Sequence, residues 1–415
     1  VTGPTLGALS VATVDEPIVL DVLGARVALR LHGLDEDGRD RVLADWSWCR
    51  TPHRASATST TVHAVLAAPA PAPGAAAVPD GTSGAPDGPG SIVVRAADVD
   101  TLRDRLARAL TLHAIDARAA DLLLLHAAAV CDPVTGATVA LVGRSGSGKT
   151  TAAQVLGRTF AYVTDETLGV QDDGTVVPYP KPLSVVRAGS PKAQVGPDVA
   201  GLVRSAGPAP WLAAVLLLDR DPSLPSALLE PVRVTEVVEP LFGQISYLSR
   251  RGRPLARLRR LVDATGGLRV LRYAEARDLA PVVGGVLAGV SGRPAATLGA
   301  VRTVTEASSS GLADPGASVR RAAVTDWVGD GDDVLVLHAD RLHVLQAVGA
   351  AVWTALARPR SLDALVRHAV ERFGTPEGAD PSLLVARVVE ELRASGLVET
   401  GPATPRAPRA PAAAR

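Results

Sequence analysis

The stretch Gly143-Arg144-Ser145-Gly146-Ser147-Gly148-Lys149-Thr150 constrains the fold of this chain more than any other. It fits G-x-x-x-x-G-K-[ST], in which glycines let consecutive backbone N–H groups curl inward around phosphate oxygens. Ala137 to Val142 before it is a short apolar run, as a buried parallel strand would be, and Thr151 to Leu156 after it suits a helix. Strand, glycine loop and helix predict an α/β sheet with an anion site at the helix N-terminus. The expected ligand is a nucleotide, cradled from Gly143 through Thr151, with Lys149 on the β- and γ-phosphates and the Thr150 hydroxyl on Mg²⁺.

The flanking segments carry the remaining candidates. Leu122 to Val130 is an apolar run broken only by His126, and a turn at Asp132 to Gly136 leads back into the strand before the glycine loop. His126 is therefore expected on a neighbouring strand near the nucleotide, where a polar interruption of a core strand often carries chemistry. Phe160 to Thr164 reads as a second strand, closing on Asp165 and Glu166. Acidic groups at the carboxyl end of a parallel strand face the ligand crevice. One carboxylate of the Asp165-Glu166 pair can hold Mg²⁺, directly or through water, while the other accepts a hydroxyl proton. Asp219, ending the run Ala213 to Leu218, competes for the acidic role; Asp165 is favoured because its strand directly follows the glycine-loop helix.

Lysine usage is a second pointer. The basic residues are nearly all arginine, and the only lysines are Lys149, Lys181 and Lys192. An ammonium is a compact point charge that the arginine fork does not replace. Lys181 lies in Pro178 to Leu183, whose prolines hold an extended loop, so it is either an exposed loop residue or a phosphate- or substrate-facing group.

Lys plus Arg and Asp plus Glu balance at 43 each, which leaves no global field for nucleic acid or an anionic membrane. No uninterrupted apolar run is long enough to span a bilayer, and no secretion signal is expected. Two cysteines, Cys49 and Cys131, make neither a disulfide framework nor a zinc site, so a cytoplasmic protein is expected. Residues 1–63 read as a small α/β region in which Trp46 and Trp48 pack; His32, His53 and His63 lack metal-like spacing. Residues 64–90 are an Ala/Pro/Gly loop or linker. Asp98 to Ala120 is an amphipathic helix with Leu102, Leu106 and Leu110 on one face and a solvated basic face. Residues 224–249 and 276–290 have helical patterns, and the basic run Arg250 to Arg260 is either a solvated helix face or a contact for an acidic partner, the solvated face being favoured.

The segments around His126 and Asp132, the glycine loop and the strand ending in Asp165-Glu166 resemble the core of HPr kinase/phosphorylase and the broader HPr-kinase-like proteins, a core related to phosphoenolpyruvate carboxykinase. The resemblance spans roughly residues 90–290 and implies an α/β P-loop domain at 91–291. It places His126 on the family's active-site histidine, Asp132 at the end of that segment and Asp165 on the catalytic base, with Glu166 replacing a second aspartate. The Pro180 to Ser184 segment also looks like one in that group. No counterpart of the glycine-rich signature used in dephosphorylation is found downstream, which points to a divergent kinase of another substrate.

Past a Gly/Ala/Ser-rich linker at 292–324, residues 325–400 resemble PqqD, a small α+β winged-helix module that binds leader peptides of ribosomally made, modified peptides; residues 401–415 read as a disordered tail. The features are a hairpin over Val334 to Leu345, helices near 347–357, 361–373 and 381–395, and Trp353 in the first of them. Dense basic recognition faces are lacking, so DNA is not the expected partner. The two resemblances together imply an ATP- and Mg²⁺-dependent kinase, with Asp165, His126 and Lys149 as catalytic residues, phosphorylating a hydroxyl on a captured precursor peptide of lasso type. Other peptide-maturation enzymes are possible partners, and self-association is left open. The alternative is an ATP-binding, non-catalytic scaffold or chaperone for peptide maturation.

Overall fold

The computed structural model describes residues 16–52, 60–67, 90–186, 192–247, 252–290, 292–293 and 318–401. His53, most of the expected linkers at 64–90 and 292–324, and the tail beyond 401 lie outside the described residues. The chain divides into two compact units. The first takes residues up to 231, 243–248 and 268–296; the second takes 232–242, 249–267 and 297–415.

The first unit opens with β1 (Ile18–Val22), β2 (Ala25–His32), α1 (Glu36–Asp45), β3 (Thr60–Leu66), β4 (Ser91–Ala96) and α2 (Val99–Arg118). β1 and β2 form a hairpin whose two turn residues, Leu23 and Gly24, both have positive φ. That is the turn handedness matching the twist of paired strands. β3 and β4 then add in parallel, so the sheet order is β1-β2-β3-β4. Residues 91–118, expected to open the kinase-like domain, thus supply the last strand and the covering helix of this sheet. Asp98 caps α2 through the Thr101 N–H, and Leu102, Leu106 and Leu110 are fully buried, as their spacing predicts. Its basic side is not wholly solvated: Arg103 forms a paired contact with the buried Asp45, at 2.6 and 2.7 Å. Trp46 joins the core of this sheet.

The chain continues through β5 (Leu123–Leu125), β6 (Ala127–Cys131), β7 (Ala137–Val142), α3 (Lys149–Leu156), β8 (Ala161–Thr164), β9 (Leu168–Val170), β10 (Val176–Val177), β11 (Leu183–Val185) and β12 (Ala193–Val195). There follow β13 (Trp211–Arg220), β14 (Leu228–Val232), α4 (Val234–Phe242), β15 (Ile245–Ser246), α5 (Pro254–Ala264), β16 (Leu268–Tyr273) and α6 (Leu279–Ala288). A six-stranded sheet of order β14-β16-β13-β7-β6-β8 forms the mixed α/β core. β7, β13 and β16 are parallel, and β6 is antiparallel to both β7 and β8. β8 therefore runs in the same sense as β7. Every residue of β7 is buried, with Ala152, Ala153 and Leu156 of α3 and Val283, Val286 and Leu287 of α6 in the same core. A strand covered on both faces requires such a continuous apolar run.

The second unit combines α4 and α5 with β17 (Val319–Arg321), β18 (Asp326–Asp330), β19 (Asp333–His338), β20 (Arg341–Leu345), α7 (Ala347–Ala355), α8 (Leu362–Phe373), α9 (Pro381–Ala394) and β21 (Val398–Thr400). β18-β19-β20 is an antiparallel sheet, and β17 pairs with β21. The hairpin and three helices lie where the sequence predicts them. Trp353 is fully buried and meets Trp327 edge-on, with ring centroids 5.3 Å apart.

Of the basic run at 250–260, Arg250 and Arg251 lie outside the described residues, and Arg253 and Arg259 meet acidic partners instead of forming a solvated face. Arg253 Nε donates to Asp326 at 3.2 Å, and Arg259 Nη1 donates to Asp330 at 2.6 Å. The same carboxylates accept the backbone N–H of Ala256 near the start of α5 and of Thr235 in the first turn of α4. Helix starts leave backbone donors without intrahelical acceptors, and these two aspartates, Asp326 buried and Asp330 partly so, satisfy two of them. No helix among the described residues is long and apolar enough to cross a membrane.

Candidate functional site

Strand direction assembles the site. The glycine loop leaves the carboxyl end of β7, and Asp165 and Glu166 leave the carboxyl end of β8. β6 runs the opposite way between them, so His126, just before its first residue, lies at the same edge. His126 also marks the point where the chain changes sheets, from β5 to β6, with its N–H donated to Gln244 O at 2.7 Å.

The glycines have separate reasons. Gly146 and Gly148 sit at φ +83° and +87°, which L side chains rarely adopt. A Cβ on Gly143 would stand 2.4 Å from Ser147 Oγ, so the loop folds this tightly only because Gly143 has none. Gly148 precedes α3 without a side-chain cap. Ser147 Oγ is buried without a hydrogen-bond partner. Lys149 Nζ donates back to the carbonyls of Gly143 at 2.5 Å and Arg144 at 3.1 Å. Arg144, Ser145, Gly146 and Thr151 are exposed, so the loop's outer surface is open. Tyr273, ending β16, pins the loop by donating to Ser147 O at 2.7 Å.

Thr150 Oγ1 donates to Asp165 Oδ2 at 3.1 Å, which brings loop and acidic strand end together. Asp165 is 2% exposed. Its Oδ2 also accepts the Ser184 N–H at 3.2 Å, and its Oδ1 accepts the Tyr162 hydroxyl at 3.3 Å. Asp219 ends elsewhere: its side chain is half exposed and paired with Arg272 at 3.1 Å. Asp132 acts locally, accepting from Val134 N, Thr135 N and the Thr135 hydroxyl to close the turn before β7. Lys181 is not an exposed loop residue. It is fully buried, 2.8 Å from Asp165 Oδ1 and 3.1 Å from Glu166 Oε2.

Burial and charge set the protonation of these groups. Burial lowers the Lys149 pKa, offset in part by the charges of Glu166 and Asp165. Burial also lowers that of His126, helped by the Lys149 charge, so its ring is held neutral. For Lys181, burial pulls the pKa down, but Asp165 and Glu166 outweigh it and the net shift is upward. Tyr162 is raised by burial and then by the Asp165 charge, which keeps its hydroxyl a donor. Both cysteines are buried and raised by burial, Cys131 to about 11, so neither is a thiolate near neutral pH. Among the described residues no group of three or more His, Cys, Asp or Glu side chains is arranged to hold a metal.

Sequence reasoning missed Tyr162, Ser184 and Tyr273. Tyr162 had a signal: a phenol in an otherwise apolar buried strand needs a partner for its hydroxyl. Ser184 had only the resemblance of its segment, and Tyr273 had no signal, because its partner is distant in sequence.

Among solved structures, the chain is similar to that of the Hpr(Ser) kinase/phosphatase from Coxiella burnetii, at 12% identity over 40% of this chain and 93% of that one. The TM-score is 0.23, too low to establish a shared fold. No curated protein matches the chain significantly. Residues 333–398 match the family described as Coenzyme PQQ synthesis protein D (PqqD). The chain therefore carries a PqqD-like module over those residues.

Proposed function

We propose that this protein recognises an extended precursor peptide and holds it for maturation by strand addition to β20. The observation that carries this reading is the asymmetry of the module's sheet. At the β18 edge, the Gly329 carbonyl accepts from Arg259 and the strand packs against α5. β20 ends the other side of the sheet, with no further strand beyond it among the described residues. An open edge offers main-chain hydrogen bonds to an extended peptide, with alternate side chains left for recognition. The test is titration of the full chain with the peptide encoded beside its gene, N-methylated at one amide at a time. Binding lost at every second position supports strand addition; a flat profile removes it.

A second reading, phosphoryl transfer from ATP to a hydroxyl of that peptide, is favoured by the contact between Thr150 and Asp165 at the glycine loop. An uncapped helix start and an orphaned, buried Ser147 hydroxyl suit anionic phosphate oxygens. The backbone from Gly143 through Thr151 and the Lys149 ammonium would hold the phosphates. Thr150 and Glu166 would hold Mg²⁺, whose charge would offset that of the phosphates. Asp165 would accept the hydroxyl proton, and neutral His126 would orient the acceptor. Holding peptide and site on one chain raises the local substrate concentration. Label transferred from γ-labelled ATP to the peptide, and lost in Asp165→Asn, supports transfer. Nucleotide binding without transfer leaves the recognition scaffold alone.

A further inference from the structure

Neither reading uses Lys181, whose side chain is 0% exposed. Its ammonium sits among four oxygens: Asp165 Oδ1 at 2.8 Å, Glu166 Oε2 and Pro182 O at 3.1 Å, and Ser184 Oγ at 3.3 Å. Two of the four are carboxylate oxygens, and none is nitrogen or sulfur. That is the donor set of a hard divalent cation such as Mg²⁺ or Mn²⁺.

The cage is built by the fold. Pro180 and Pro182 flank Lys181, whose N–H turns back to Tyr179 O at 2.8 Å. Ser184 is fixed by pairing with Gln194 across β11 and β12, and Gln194 is tied in turn to Asp104. The cage also divides the two oxygens of Asp165: Oδ1 faces the ammonium, while Oδ2 faces Thr150 and the Ser184 N–H.

We propose that the Lys181 ammonium is a built-in cation filling a divalent-metal cage, so that the site takes one exchangeable metal and Asp165 is held with Oδ2 toward Thr150. Two-metal phosphoryl-transfer sites place a second ion among such carboxylates. Here a tethered amine supplies a single positive charge that does not exchange with solvent. Lys181 is a positioning residue in this scheme, and the inference rests on the transfer reading of the cluster.

The test counts Mn²⁺ bound to the full chain by the loss of the free-ion paramagnetic resonance signal. The ion is titrated first alone, then with a non-hydrolysable ATP analogue. Wild type is expected to bind no tight Mn²⁺ alone and one with nucleotide. Lys181→Ala is expected to gain one site in both conditions, and Lys181→Arg, which keeps the charge, to match wild type. Two ions on the wild type, or an unchanged count on folded Lys181→Ala, overturns the proposal. Should Lys181→Ala fail to fold by circular dichroism, the wild-type and Lys181→Arg counts still decide: a second ion on either is fatal. A chain that binds no nucleotide, but whose Lys181→Ala variant gains the metal-alone site, keeps the cage and removes the transfer reading.

Discussion

Asp165 in the first unit and Asp326 in the second are both buried aspartates facing a basic side chain, but they are built for different ends. Asp326 is 4% exposed and its partner Arg253 is one-third exposed, so that pair is open to water on one side. Its other oxygen is spent on the Ala256 N–H. Asp165 meets a lysine with no exposure at all, and its remaining contacts come from Thr150, Tyr162 and Ser184 around the glycine loop. One aspartate joins a helix to a sheet. The other gathers hydroxyls and an ammonium beside the glycine loop, an arrangement expensive for stability alone.

The largest expected effect follows from that difference. Asp165→Ala leaves the Lys181 charge buried with only Glu166 to oppose it, and such broken pairs cost about 3–5 kcal/mol. Denaturant unfolding of the full chain measures it. Replacing both partners with apolar residues, as in Asp165→Leu with Lys181→Met, is expected to recover much of the loss. A double variant no more stable than the single one would mean that the pair is not the source of the cost.

Gly143→Ala comes next. Its Cβ meets Ser147 Oγ at 2.4 Å, and overpacking of this kind costs about 1–3 kcal/mol. The loss should largely vanish in a Ser147→Gly background, which removes the obstructing hydroxyl; a persistent loss points to a backbone cause. Asp326→Ala is expected to cost about 1–2 kcal/mol, as for a lost helix cap with a partly solvated ion pair, and to leave nucleotide binding unchanged. A nucleotide defect in that variant would break the separation between the two aspartates.

The smallest effect is a slope. His126 is held neutral by burial and by Lys149, so its folded pKa lies below the ordinary value near 6.5. As pH falls through that value the unfolded chain gains the proton first, and stability declines. His126→Gln should flatten the decline between pH 7 and the lower, folded pKa, read as melting temperature against pH. An identical acid limb would show that the histidine is not the group responsible.

Features that depend on near neighbours were legible in the residues. The strand–glycine loop–helix unit, the leucine face of α2 and the order of hairpin and helices in the last unit are repeats over a few positions. Those repeats are what helical and strand geometry impose. The placement of His126 beside the loop was also readable, because a short turn forces adjacent strands together. For the basic run at 250–260, the choice between a solvated face and an acidic contact was not. A solvated arginine face and one bound to aspartates some 70 positions away have the same local pattern.

The sequence by itself determined the glycine loop, the acidic strand end and the peptide-module pattern, since each is written in consecutive residues. Only the tertiary structure decided that Asp165 rather than Asp219 stands beside Thr150, and that Lys181 lies buried between two carboxylates. The physical reason is that a charge's role depends on what shares its low-dielectric surroundings. Those neighbours come from α3, the end of β8 and the 178–184 segment, which only the folded sheet brings together.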